Sequence, residues 1–170
     1  KESHGDGWLL RGAERHLMVI PGKKSQVAFS SYAVTDVAHL ADVAEKIAAA
    51  GCNVATFETP LFSDGAISIK DHDGNVFAFG VPSQDSTGSD ALPGRLQHIV
   101  FATTQLAEQV SFFTDTIGFR KSDTVLDDDQ DPTACFMRSD PEHHSLGLFR
   151  TTESRLDHFC FESTCWNDIR

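Results

Sequence analysis

Arg95–Thr103 reads RLQHIVFAT, and sixty residues later Arg155–Ser163 reads RLDHFCFES. Arg, Leu, His and Phe recur in the same order, and the β-branched and aromatic residues between them are those of strands. Alternate residues of a strand share a face, so His98 is expected beside Leu96 and Val100, and His158 beside Leu156 and Cys160. A chain that writes one strand twice, with a histidine at the same place each time, is built from repeated units.

The residues around the first copy define the unit. Leu106, Val110, Phe113 and Ile117 keep helical spacing, Thr104 can cap that helix and Gly118 stops it. Strand-like runs FRKSDTVL, ACFMRSD and HSLGLFR then complete a βαβββ unit over 95–150. The same order stands earlier in the chain. QVAFSSYAV from Gln26 reads as a strand, and Asp36 caps a helix carrying Val37, Leu40, Val43, Ala44 and Ile47, ended by Gly51. NVATFET, GAISIKD and NVFAFGV follow, the last two joined by the turn DHDGN, giving a second such unit over 24–82.

Incomplete units lie at both ends. LLRGAERHLMVIPG, within 1–22, reads as the closing strands of a first unit, and 155–170 as the opening of a fourth. The expected fold is therefore α+β, with tandem βαβββ modules paired into two similar domains. An N-terminal part over 1–82 is joined by a Ser/Asp/Gly-rich linker at 83–94 to a C-terminal part over 95–170. A single strand with no sheet behind it cannot bury its apolar face, so the sequence is expected to be a piece of a longer protein.

Composition excludes several roles. At 170 residues the chain is long enough for a real core, and 14 Lys plus Arg against 25 Asp plus Glu give a net charge of −11. That charge repels a phosphate backbone and no local basic cluster offsets it, so nucleic acid is not an expected partner. No run of eighteen apolar residues appears, and KESHGDGW lacks the basic and apolar regions of a secretory leader, so neither a membrane span nor export is expected. Cys52, Cys135, Cys160 and Cys165 form no C-x-x-C pair and read as reduced thiols of a cytoplasmic protein.

Two units related by a pseudo-twofold would bring His98 and His158 together. Neutral imidazoles meeting in a cavity suit a divalent transition metal such as iron, manganese or zinc. A lone strand histidine is more often a hydrogen-bonded core residue, but the matched RLxHxxF frame favours the ligand reading. His4, His16, His39 and His72 have no such partner and read as surface residues.

The βαβββ units, both RLxHxxF strands and PEHHSLGLF at 141–149 resemble the vicinal oxygen chelate superfamily and, within it, the type I extradiol ring-cleaving dioxygenases. The resemblance implies Fe(II), with Mn(II) as the alternative, held in the C-terminal domain by two histidines and one glutamate. The histidines match His98 and His158, and the glutamate falls beyond Arg170. The second histidine of HHSL, His144, matches the acid/base residue. His143 would point to the opposite face of its strand in a structural role. Glu162 stands near His158 but in the wrong part of the unit for the third ligand, and reads as an exposed or salt-bridged carboxylate.

The implied substrates are a small aromatic diol and dioxygen, and a homo-oligomer is expected. Phe136 and Phe149 either line the pocket or pack in the core. In the unit at 24–82, Gln26 takes the place of His98. Ala78 takes that of a glutamate in the superfamily's DPDGNxxE pattern, so this unit keeps the fold without the ligands. Asp71 and Asp73 read as turn residues around Gly74. The competing readings are a glyoxalase-like metal-dependent isomerase or epimerase and a non-catalytic small-molecule-binding module. The 170 residues by themselves are expected to hold little metal and to cleave no ring.

Overall fold

The computed structural model describes residues 2–12, 15–23, 26–63, 65–83, 95–163 and 165–169; the expected linker lies outside them from residue 84 onward. Strands β1 (Glu2–His4), β2 (Gly7–Arg11) and β3 (His16–Val19) form an antiparallel meander in the order β1-β2-β3. Next come β4 (Ser30–Ala33), helix α1 (Val37–Ala49), β5 (Ala55–Thr56), β6 (Ile67–Lys70) and β7 (Val76–Gly80). Their sheet has the order β4-β7-β6-β5, with β4 parallel to β7.

The pattern then repeats. β8 (Arg95–Thr103), α2 (Leu106–Ser111), a π-helical segment (Phe112–Ile117), β9 (Arg120–Leu126), β10 (Pro132–Arg138) and β11 (Leu146–Arg150) have the order β8-β11-β10-β9, with β8 parallel to β11. Both central βαβββ units are thus present with one topology. β12 (Arg155–Glu162) runs antiparallel along the other edge of β8, so the strand expected to lack a sheet extends this one to five strands. A 3-10 turn, Trp166–Ile169, follows. Among the described residues no helix is long and apolar enough to cross a membrane.

Local chemistry explains the helix ends. The Asp36 carboxylate accepts from the His39 backbone N–H at 2.8 Å, capping α1, and Gly51 follows the helix with φ of 80°. The second helix starts after Gln105, not at Thr104 as a cap, and no side chain caps it. Its last turns widen into π geometry, which lets two successive phenylalanines, Phe112 and Phe113, both face the core. Gly118, at φ of 97°, then closes the segment as expected. The strand expected from Gln26 begins only at Ser30, and NVATFET contributes only Ala55–Thr56.

The second and third units share one core. The Phe77 ring of β7 lies 5.7 Å from that of Phe101 on β8 and 4.9 Å from that of Phe113 in the π segment. Tyr32 on β4 meets Phe119 edge-on at 5.0 Å. Such aromatic pairs add about 0.5–1.5 kcal/mol each beyond burial.

A polar clamp reinforces this contact. Asp71 closes the DHDGN turn, accepting from the backbone N–H of Asp73 at 3.0 Å and of Asn75 at 2.8 Å. Asp73, expected to be a local turn residue, reaches out of the unit instead. Its carboxylate accepts from Gln105 Nε2 at 2.9 Å, Gln109 Nε2 at 2.8 Å and Ser154 Oγ at 2.7 Å. Burial pushes the Asp73 carboxyl up, but hydrogen bonds from Thr103, Gln105, Ser154 and Gln109 outweigh it and hold the group below the usual range.

Candidate metal centre

β8 and β12 pair about a local twofold. Ile99 stands opposite Phe159 at its centre; Val100 pairs with His158 as Cys160 pairs with His98, and Phe101 pairs with Leu156 as Phe161 pairs with Leu96. Two residues drop out of this ladder at symmetry-related points, Gln97 on β8 and Asp157 on β12, and each is a β-bulge. The bulges overturn both expectations about the leucines: skipping Gln97 and Asp157 turns Leu96 away from the face of His98 and Leu156 away from that of His158. Leu156 is opposite Phe101 and packs against the core, not beside His158.

The histidines stay on the other face and meet there. His98 Nε2 and His158 Nε2 are 3.3 Å apart, with ring centroids 5.4 Å apart and the rings nearly perpendicular at 78°. Two nitrogens bound at ~2.1 Å to one ion, at about a right angle, stand roughly 3 Å apart. The pair therefore fits two ligands of a single metal. Both rings also keep their Nδ1 atoms against a neighbouring oxygen, from Gln97 at His98 and from Asp157 at His158.

His144 joins the pair from the turn between β10 and β11. Its ring centroid lies 4.3 Å from that of His98, at an interplanar angle of 34°. His143 and His144 precede β11 and are not strand residues, so the expected alternation of faces does not hold: their Nδ1 atoms are 3.0 Å apart. Phe136 and Phe149 belong to the site face. The Phe136 ring is 4.8 Å from His144, the Phe149 ring 6.1 Å from His158, and the two phenyl rings are 6.0 Å apart at 89°. Gly147, opposite both Val100 and Phe136, lets these side chains pack directly over its backbone; a Cβ there would come within 3.0 Å of Val100.

Glu162 is exposed and borders a shallow depression of about 410 Å³ with Gln97, Glu142, His143 and Cys160, rather than standing at the histidine pair. Among the described residues no group of three or more His, Cys, Asp and Glu is placed to hold a metal ion. Burial pushes the His98 imidazole down to about 4, with His144 and His158 adding to the effect. His144 is lowered too, by burial first and then by His143 and His158, against an opposing pull from Glu142. Both rings are neutral near pH 7, the form a ligand or a general base requires.

The unit at 24–82 has lost this chemistry differently from the expectation. Tyr32 opposite Phe79 and Phe101 opposite Leu148 are the matching core-facing pairs, each at the same distance before its helix. Counting back from them puts Phe29, not Gln26, at the position of His98. Phe29 packs edge-on against Phe57 at 4.9 Å. By the same count Ala78 corresponds to Gly147.

Residues 95–169 match the model of the Glyoxalase/Bleomycin resistance protein/Dioxygenase superfamily. Over 98% of its length the chain is 26% identical to the biphenyl-2,3-diol 1,2-dioxygenase of Paraburkholderia xenovorans (strain LB400), of which it covers 62%. Homoprotocatechuate 2,3-dioxygenase from Arthrobacter globiformis superposes with a TM-score of 0.81 at 20% identity, over 99% of this chain and 56% of that one. The Mn(II)-bound glyoxalase from Novosphingobium aromaticivorans gives 0.75 at 21% identity, over 98% and 57%. The segment 95–169 belongs to the glyoxalase/bleomycin resistance/dioxygenase, or vicinal oxygen chelate, superfamily. The chain as a whole has the fold shared by its extradiol dioxygenases and glyoxalases, and spans about three fifths of the curated relative's length.

Proposed function

We propose that the complete protein opens the ring of a catechol-type aromatic diol with dioxygen, in the extradiol sense, at a non-haem Fe(II) centre that Mn(II) can also fill. The observation that carries this is the meeting of His98 Nε2 and His158 Nε2 at 3.3 Å with the His144 ring 4.3 Å from His98. On this reading His98 and His158 are metal ligands, and a glutamate C-terminal to Arg170 is the third. A metal held by these residues would supply the Lewis-acid and redox chemistry that couples a diol to dioxygen. The similarity to a biphenyl-2,3-diol 1,2-dioxygenase supports that choice of reaction.

The chain's own residues prepare the substrate. His144, neutral at working pH, accepts a proton from a diol hydroxyl and returns it as the ring opens. Phe136 and Phe149 present an aromatic wall to the flat face of the diol and keep water from it. The same reading divides the protein into a non-catalytic domain at 1–82, a linker at 83–94 and a catalytic domain from 95, in a cytoplasmic homo-oligomer whose four cysteines stay reduced.

Anaerobic loading with Fe(II), metal quantitation and an oxygen electrode with catechol or 2,3-dihydroxybiphenyl test the proposal. The complete protein is expected to take up iron stoichiometrically and consume oxygen. His144→Ala keeps the iron and slows turnover by about 10²–10⁴-fold. Metal uptake without oxygen consumption identifies an isomerase of the glyoxalase kind, and no metal uptake a binding module. The 170 residues alone are expected to hold little iron, because two imidazoles complete no coordination sphere.

A further inference from the structure

We propose that Gln97 is a positioning residue for two groups at once, holding His98 with Nε2 turned toward the metal and anchoring the turn that carries His144. Asp157 performs the first of these tasks for His158. The inference rests on the metal reading above and goes beyond it, to residues that neither ligate nor transfer protons.

The two bulges are the starting point. Successive side chains of a regular strand point to opposite faces, so the residue before a histidine could not reach its ring. Here that residue has left the β8–β12 ladder in both strands, at points related by the local twofold, and a bulge re-aims the side chain it releases. Asp157 Oδ2 lies 2.7 Å from His158 Nδ1, and Gln97 Oε1 touches His98 Nδ1.

The network assigns the hydrogens. Gln97 Nε2 faces two acceptors, the His144 carbonyl oxygen at 3.0 Å and Glu142 Oε2 at 3.3 Å, so this end of the amide is the NH₂ group. The remaining oxygen can only accept, and His98 Nδ1 must donate to it. The Asp157 carboxylate makes the same demand of His158. Each ring thus carries its hydrogen on Nδ1 and presents a bare Nε2 lone pair to the other across 3.3 Å, a juxtaposition that a cation satisfies and a hydrogen bond does not. The halves of the device differ in what else they hold, and Asp157 also accepts from Arg155 at 3.3 Å. Asp157 serves one ring, whereas Gln97 also holds the backbone of His144, so a single side chain sets the spacing between a ligand and the acid/base group.

Ring ¹⁵N spectroscopy of histidine in the 170-residue chain, at about pH 8 where imidazoles are neutral, reads this directly. In the wild type both His98 and His158 are expected as the Nδ1–H tautomer. Gln97→Leu should populate Nε2–H at His98 and leave His158 unchanged, while Gln97→Glu, which keeps an acceptor, should restore His98. In the complete enzyme Gln97→Leu should weaken iron binding by about 10–100-fold. Gln97→Glu should recover that affinity yet keep a depressed kcat, because it cannot donate to the His144 carbonyl. An Nε2–H tautomer at either histidine in the wild type overturns the inference without any variant, as does a Gln97→Leu chain whose His98 is unaltered. Iron retained by His98→Ala would instead overturn the metal reading, and would leave the tautomer result standing.

Discussion

The units at 24–82 and 95–150 share a topology, a parallel closing pair and a core, yet only the second gathers imidazoles. The difference lies wholly on one face of the sheet. On the core face Tyr32 and Phe79 in one unit answer to Phe101 and Leu148 in the other, all apolar or aromatic. On the opposite face Phe29 answers to His98 and Ala78 to Gly147, so one unit closes that face with Phe29 against Phe57 while the other turns His98 toward His158 and His144. The fold is held by residues on one side of each strand, and chemistry is gained or lost on the other without disturbing it.

Giving the third unit the second unit's residue breaks this comparison most severely. His98→Phe in the complete protein is expected to abolish stoichiometric iron, measured by metal analysis after anaerobic loading. The reverse exchange, Phe29→His, should recruit none, since the ring recorded against Phe29 is that of Phe57, which cannot ligate. Full iron in His98→Phe would show that the faces do not divide the roles in this way.

Attacking what the units share should cost stability instead of metal. Phe77 contacts both Phe101 and Phe113 from a fully buried position, and Phe77→Ala is expected to lower unfolding free energy by about 3–5 kcal/mol in urea titrations. The polar clamp should matter less. Asp73→Ala removes the acceptor that Gln105, Gln109 and Ser154 share, for an expected loss of about 1–3 kcal/mol by the same measurement.

The smallest effect is a dependence on acid. His98 titrates near 4 when folded, below its unfolded range near ~6.5, so the unfolded chain takes up the proton first and stability falls as pH drops through that interval. Asp73 is also depressed; its contribution is present above the ordinary carboxylate range and is lost as pH falls through its lowered value. Thermal unfolding of the wild type should weaken from about pH 6.5 downward, and His98→Phe should give a flatter curve between there and pH 4. Identical curves would remove His98 from the acid response.

Much of this was legible in the residues because it is periodic. Helical spacing stopped by Gly51 and Gly118 marks the units, and the repeated RLxHxxF frame marks the converging histidines. What was missed depends on partners. A bulge is a skipped residue in a pairing, invisible in either strand alone, and so simple alternation places Leu96 and Leu156 on the wrong face and nothing in the letters singles out Gln97 or Asp157. HHSL looks like the start of a strand, but the chain is still turning at His143 and His144. Matching letter strings set Gln26 against His98, whereas the core-facing pairs set Phe29 there. Asp73 looked local because its near neighbours in sequence explain a turn, while its own partners lie 32, 36 and 81 residues away.

Those separations carry a consequence for the order of assembly. A contact across 81 residues forms only after the long intervening segment has been brought back on itself, and it adds nothing until both units have their sheets and helices. The Asp73 bonds therefore belong to the last stage of folding, when two finished units dock. Interactions absent from the transition state leave the folding rate almost untouched and act on escape from the native state. The loss in Asp73→Ala should appear in the unfolding arm of a chevron plot. The DHDGN turn would then govern how long the docked pair survives, not how quickly it forms.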